Sequence, residues 1–208
     1  SSNPAIAEVD ASGRIKAIAE GNATITMKTY NGAATANVEV EVAPAPEKIT
    51  LLGKSTVGVG EYIQLTHQIE PAGVVGTVTY SSSNTKYVTV GQDGRVYGKK
   101  KGTAYVTAKT YNGKSASIKV TVKPAPISIK LYAARNELGL GETIISWYTL
   151  SSGSAATVTN YRSSDETVLK VSEKGVITAV GLGTATITAK TYNNKSSNAV
   201  SITVRNAP

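Results

Sequence analysis

The chain has 208 residues, no cysteine, one histidine and a formal net charge of +8. Without cysteine there is no disulfide, no thiol chemistry and no thiolate metal site, and no apolar run approaches the ~20 residues of a membrane-spanning helix. The charge is uneven: residues 1–46 carry three Lys/Arg against five Asp/Glu, residues 47–126 eleven against four, and residues 127–208 eight against five. A nucleic-acid binder would carry its basic stripe across all of these stretches, so a solvated soluble surface is the simpler account. No basic-then-apolar leader or sorting motif stands at either end, and Ser1 reads as the start of a fragment.

Residues 1–43 read as the back half of a β domain. Ala5, Ala7 and Val9 alternate with other residues, Ser12-Gly13 turns the chain, and Ile15 and Ala17 begin a return strand. Ala23, Ile25 and Met27 share one face of the next strand, and Val38, Val40 and Val42 share one face of the strand after it. That period-2 pattern belongs to sheets with one buried and one wet face. Between them lies Asn31-Gly32, for which, as for its repeats at Asn112-Gly113 and Asn193-Asn194, a type I′ hairpin turn is expected. Pro44-Ala45-Pro46 ends the segment as a stiff linker.

Residues 47–126 hold a whole copy. Ile49 and Leu51 open it, Val57-Gly58-Val59-Gly60-Glu61 turns, and Ile63, Leu65, His67 and Ile69 share a face. After Pro71 and Gly73 come Val78 and Tyr80, and then the plan of residues 1–43 returns. Residues 127–208 follow the same order, with Gly139-Leu140-Gly141-Glu142 at the early turn. In this copy Ile144, Ser146, Tyr148 and Leu150 compete with Ile145 and Trp147 for the buried face, and a bulge would decide between them. No segment shows a sustained 3.6-residue apolar stripe, so no helix is expected.

The repeat is carried by Lys28-Thr29-Tyr30-Asn31-Gly32, Lys109-Thr110-Tyr111-Asn112-Gly113 and Lys190-Thr191-Tyr192-Asn193-Asn194, at a constant 81-residue spacing. The expected organisation is therefore 1–46 as the C-terminal half of a domain plus linker, and 47–126 and 127–208 as two complete domains. Short strands with frequent turns predict an all-β chain of tandem immunoglobulin-like β-sandwiches, two complete and one half. At ~3.3 Å per strand residue, such copies would string into a rod of roughly 80–100 Å. The half copy has no counterpart of residues 47–80. Its face of Ala23, Ile25, Met27, Val38, Val40 and Val42 is thus expected to lack covering strands, which would be supplied from outside this chain.

Gly60-Glu61, Tyr80-Ser81-Ser82-Ser83-Asn84, Val88-Thr89-Val90 before Asp93-Gly94, and Gly102-Thr103-Ala104-Tyr105-Val106-Thr107-Ala108 together resemble the group 2 bacterial immunoglobulin-like domain. The family usually has Trp where Tyr80 and Tyr161 stand here. The resemblance implies a secreted or cell-surface bacterial protein, with such domains as stalks or adhesive modules, or a phage virion protein. It brings no catalytic residues.

Candidate sites are few. His67 lies in phase with Ile63, Leu65 and Ile69, which predicts packing at the core edge rather than a ligand or base. Neither an activated nucleophile nor a pair of convergent acids is evident, so no catalytic, cofactor or metal residue is assigned. Asp10, Asp93, Asp165 and Glu166 sit on turns without the dense acidic loop of calcium sites, and turn chemistry accounts for them. Lys99, Lys100 and Lys101 form a basic turn whose default reading is a solvated surface, the alternative being contact with an anionic polysaccharide or teichoic-acid-like polymer. Tyr111 and Tyr192 recur beside the hairpin, suiting sugar stacking or packing at a domain end.

The expected function is a non-catalytic extracellular stalk or adhesive segment within a larger bacterial surface or secreted protein. Its partners would be other domains of the parent and host or cell-wall polysaccharide or protein, without nucleic acid or a membrane span. The alternatives are a carbohydrate-binding accessory region of a secreted enzyme and a phage virion decoration module.

Overall fold

The computed structural model describes residues 1–155 and 158–206; Ala207 and Pro208, which with Asn206 read in the sequence as reaching a further linker, lie outside them. Among the described residues there are twenty strands and no helix. The first four are β1 (Ala7–Val9), β2 (Ile15–Ala17), β3 (Gly21–Lys28) and β4 (Thr35–Val42). Then come β5 (Lys48–Gly53), β6 (Thr56–Gly58), β7 (Tyr62–Glu70), β8 (Val78–Ser82), β9 (Val88–Val90), β10 (Arg95–Gly98), β11 (Gly102–Thr110) and β12 (Ser115–Lys123). The same series repeats as β13 (Ile129–Ala133), β14 (Glu137–Gly139), β15 (Thr143–Leu150), β16 (Val158–Ser163), β17 (Leu169–Val171), β18 (Val176–Ala179), β19 (Gly183–Thr191) and β20 (Val200–Arg205).

Each complete series builds two four-stranded sheets. In the third copy the orders are β13-β15-β18-β17 and β14-β20-β19-β16, and in the middle copy β5-β7-β10-β9 and β6-β12-β11-β8. Among the described residues, the pairings of the third copy are antiparallel except β14 with β20, which is parallel. Residues 1–46 make only β1-β2 and β3-β4, two strands each. Strand alternation sets the buried faces directly: Ala104, Val106 and Ala108 of β11, and Ala185, Ile187 and Ala189 of β19, are all buried.

By compactness the chain forms two units: residues 1–52, 67–79 and 108–116, and residues 53–66, 80–107 and 117–208. The first has a small core of Ala7, Ala23 and Ile25, flanked by the half-buried Ile6, Val9, Val40 and Val42. The second includes the third copy's core, where Leu131, Leu169, Ile177, Ile187 and Ile202 pack without solvent contact of any size. Tyr161, which stands where the resembled family usually has Trp, packs against that core, and burial pushes its phenol up from the ordinary tyrosine range.

Four expectations from the sequence change. In the second and third copies the hairpin is a three-residue loop closed by Thr110 N–H to Lys114 O and Thr191 N–H to Lys195 O, at 2.9 and 3.0 Å. One left-handed residue ends each loop, Gly113 at φ 91° and Asn194 at φ 63°. The type I′ turn, which needs two such residues, is therefore not formed. In β15, the register against β13 and β18 runs without a bulge. Tyr148 lies opposite the buried Leu131, which puts Ile144 and Ser146 inside and leaves Ile145 and Trp147 outside.

His67 is exposed rather than packed at the core edge. Strand β10 pairs with β7 only over Tyr62–Gln64, so His67 lies past that partner. Finally, the inner face of the half copy is divided. Ala23 and Ile25 are buried by β1 and its flanking residues, whereas Met27 is 71% exposed and Val38 is also exposed.

Candidate functional site

The recurring Lys-Thr-Tyr-Asn hairpin does three jobs with three side chains. Thr110 Oγ1 donates to Asn112 Oδ1 at 2.6 Å, and Thr191 Oγ1 donates to Asn193 Oδ1 at 2.6 Å, clipping the loop to itself. The amide end of each Asn then reaches the linker: Asn112 Nδ2 donates to Pro46 O at 2.7 Å, and Asn193 Nδ2 to Pro126 O at 2.8 Å. An Asn oxygen and nitrogen used at once fix both the loop and the strand entering the copy. The tyrosine between them is left to point away.

Tyr192 uses that freedom to latch onto the middle copy. Its hydroxyl donates to Val59 O at 3.1 Å, and its ring fills the space beside Gly58, where a Cβ would come within 2.9 Å of Cε1 and nearer still to the hydroxyl end. Any side chain at position 58 would displace the ring. The receiving turn is held by backbone bonds. Val59 N–H donates to Lys123 O at 2.9 Å, Gly60 N–H to Gly98 O at 2.8 Å, and Glu61 N–H to Gly58 O at 3.1 Å. Glu61 is only 5% exposed, and its Oε2 accepts from Gly58 N–H at 2.6 Å. Burial, and then the Glu61 carboxylate, push the Tyr192 phenol up to about 12, so it stays a donor at ordinary pH.

Tyr111 behaves differently. It is 59% exposed. A Cβ on Gly76 would meet the Tyr111 ring at 2.6 and 2.7 Å, so one side of the ring is spent on a loop of its own copy. With Ile18, Glu20, Val42 and Ala45 it lines an open cleft of about 460 Å³. Lys99, Lys100 and Lys101 are all exposed on the turn between β10 and β11, where Lys99 N–H donates to Tyr87 O at 2.8 Å.

The turn acids serve the turns. Asp10 Oδ1 accepts from Ser12 Oγ at 2.6 Å, Ser12 N–H at 2.9 Å and Arg14 N–H at 3.0 Å. Asp165 Oδ1 accepts from Thr167 Oγ1 and N–H, and Asp93 Oδ1 from Arg95 N–H at 3.0 Å. The hydroxyls of Ser12 and Thr167, followed by these N–H groups, hold the Asp10 and Asp165 carboxyls below the usual range. Among the described residues no three His, Cys, Asp or Glu side chains converge to hold a metal ion.

Sequence reasoning left out one feature. Tyr132 and Trp147 face outward from adjacent strands with centroids 5.8 Å apart and planes within 10°. Lys130 Nζ lies 5.3 Å from the Tyr132 centroid, and Trp147 is 49% exposed. The signal was the crowding of Ile145 and Trp147 on the wrong phase of β15. The middle copy carries a related outer pair, Tyr62 with Tyr97 at 4.6 Å, and Arg95 sits 4.0 Å over the Tyr62 ring.

The profile of the family described as bacterial Ig-like domain (group 2) matches residues 48–122. Two curated relatives are similar over parts of the chain. A lacto-N-biosidase of Bifidobacterium bifidum is 40% identical over 92 residues, which is 41% of this chain and 8% of that protein. An uncharacterized protein of Clostridium acetobutylicum is 35% identical over 115 residues, 54% of this chain and 12% of its own length. The chain thus corresponds to about a tenth of the relatives it matches. Among solved structures, domains 4 and 5 of the S-layer protein SbsC align with 77% of this chain and 99% of theirs, at 21% identity and a TM-score of 0.34.

Proposed function

Since residues 48–122 belong to the group 2 bacterial immunoglobulin-like domains, and their pattern recurs at 81-residue spacing, we propose that this chain is a non-catalytic stalk segment of a larger bacterial protein, working outside the cell. The Tyr192 latch carries the reading, because its hydroxyl, the ring's vacancy at Gly58 and the Asn193 tie to Pro126 O combine to hold successive copies in one orientation. A spacer needs such a joint, whereas a flexible tether does not. Among the described residues no helix is long and apolar enough to cross a membrane.

The test has two arms. Residual dipolar couplings should give one alignment for the residues around Gly58 and those around Tyr192, and two alignments in Tyr192→Ala. The protein should also neither turn over nor retain cell-wall polysaccharides, glycosides or peptides. Independent alignments in the unsubstituted protein, or turnover, would end the stalk reading.

A second reading, carbohydrate binding, is supported by the stacked Tyr132–Trp147 pair, since the exposed Trp147 ring, braced by a near-parallel neighbour, offers a stacking surface. Retention on a polysaccharide that disappears in Trp147→Ala, but persists in Lys99→Ala and Tyr111→Ala, would favour it. Loss in the latter two variants would instead move the contact to the basic turn and the hairpin.

Residues 1–46 call for a partner of their own. Ile15, Ile25, Met27 and Val38 line an open apolar cleft of about 480 Å³. In the middle copy the counterpart of β2 pairs with β7, through Val96 opposite Ile63. The fitting occupant is accordingly the first half of another such repeat, added strand to edge from outside this chain. A peptide with the sequence of residues 61–70 should slow amide exchange at Ile15–Ala17, and unchanged exchange there would reject the assignment.

A further inference from the structure

The receiving turn at Gly58–Glu61 has a counterpart at Gly139–Glu142. There Leu140 N–H donates to Arg205 O at 3.0 Å, Gly141 N–H to Ala179 O at 2.9 Å, and Glu142 N–H to Gly139 O at 3.1 Å. Gly139 N–H donates to Glu142 Oε2 at 3.1 Å. Bond for bond, this is the cradle that holds Val59 O in place for Tyr192. Among the described residues no tyrosine occupies it. Leu140 is exposed, and Arg135, Glu137, Leu138, Gly139, Glu142 and Arg205 line an open cleft of about 620 Å³.

We propose that this turn of the third copy is a docking surface for the tyrosine-bearing hairpin of a further immunoglobulin-like repeat, with the tyrosine ring lying beside Gly139 and its hydroxyl donating to Leu140 O. The occupied counterpart within the same molecule identifies the occupant. Gly139 is the second observation. It ends the short strand β14, where a glycine weakens the strand and often marks a close approach by another group. At the matching Gly58 the approaching group is the ring of Tyr192.

The surface also differs from its counterpart in a way that suits an open site. The Glu142 carboxylate is held by Arg135 on Oε1. That bond, and then the Gly139 N–H, keep it well below the usual carboxylate range. Arg205 pairs with Glu137 at 2.7 Å. These exposed pairs keep the rim charged and solvated until a ring arrives, and exposed pairs of this kind are weak enough to rearrange.

This inference deepens the stalk reading, and its experiment reads the joint alone, while alignment and turnover decide that reading separately. The chain would be extended after Pro208 by a second run of residues 127–208, and its amide resonances compared with those of the unextended protein. Shifts are expected at Gly139, Leu140, Gly141 and Glu142, lost when the added run's counterpart of Tyr192 is replaced by Ala. A Gly139→Val change should abolish them as well. One further tyrosine should titrate near the value of Tyr192 in the extended chain. Dispersed core amides in the added run, with or without its tyrosine, show that it has folded. Unmoved amides at residues 139–142 in a folded extended chain, or shifts that survive removal of the tyrosine, overturn the proposal. Concentration-dependent shifts in the unextended protein that vanish in Tyr30→Ala would overturn it too, by assigning the surface to a second copy of this chain.

Discussion

Strands β3 and β4 carry the same inward pattern as β19 and β20, in the same register: Ala23 faces Val40 and Ile25 faces Val38, as Ala185 faces Ile202 and Ile187 faces Val200. Their surroundings differ. β19 and β20 lie in the middle of a four-stranded sheet, and Ile187, Ala189 and Ile202 are sealed. Among the described residues β3 and β4 have no strand on either side, and past Ile25 the face opens at Met27 and Val38. The second sheet tells the same story, with Ile177 sealed and its counterpart Ile15 exposed. The pair teaches that a hairpin is a local object and a core is not. The half copy covers what β1 can reach and nothing beyond.

Substitutions in the two regions should separate accordingly. A chain of several copies has no single unfolding free energy, so amide exchange, which reports each region by itself, is the measurement to use. Ile187→Ala should cost about 4 kcal/mol of protection in the third copy through lost burial and a cavity, and Ile25→Ala about 2 kcal/mol at most in the half copy. Equal losses would break the comparison.

Between these limits lies Val106, fully buried in the middle copy. Val106→Ala should cost about 2 kcal/mol, while Lys109→Ala, exposed on the other phase of β11, should change little. A matching loss in both variants would show the strand turned over. Met27→Ala should shift protection by under about 0.5 kcal/mol, because its side chain has little burial to lose. A larger effect would mean that something covers the half copy in solution.

The smallest expected effect sharpens the joint rather than the core. Tyr192 is held at a raised value, so its contribution is complete below the ordinary tyrosine value near 10 and fades as pH climbs toward about 12. Absorbance titration should find this phenol among the last to ionise, and the couplings linking Gly58 to Tyr192 should persist at pH 9 and loosen across that window. Loosening already at pH 8 would remove the hydroxyl bond from the account.

Much of this was readable in advance, for identifiable reasons. Period-2 alternation over Ala104, Val106 and Ala108 located both strand and buried face, because neighbouring strand residues must point to opposite sides. The constant spacing of Lys-Thr-Tyr-Asn located the repeat. Less readable were the two sites that the fold assembles. Val59 and Tyr192 are 133 residues apart along the chain and meet only through the linker's geometry. Tyr132 and Trp147 become a pair only when β13 settles opposite β15. His67 was misplaced by its phase because phase does not say where a neighbouring strand stops.

The sequence by itself determined the all-β class and, along most strands, which residues point inward, since both rest on the short-range rule of alternation and on turn chemistry. Tertiary structure alone decided which side of β15 faces inward, how far β1 protects the half copy, and what the recurring tyrosine touches. The physical reason is the same in all three cases. Burial and contact depend on which strand lies opposite, and that partner comes from a distant part of the chain.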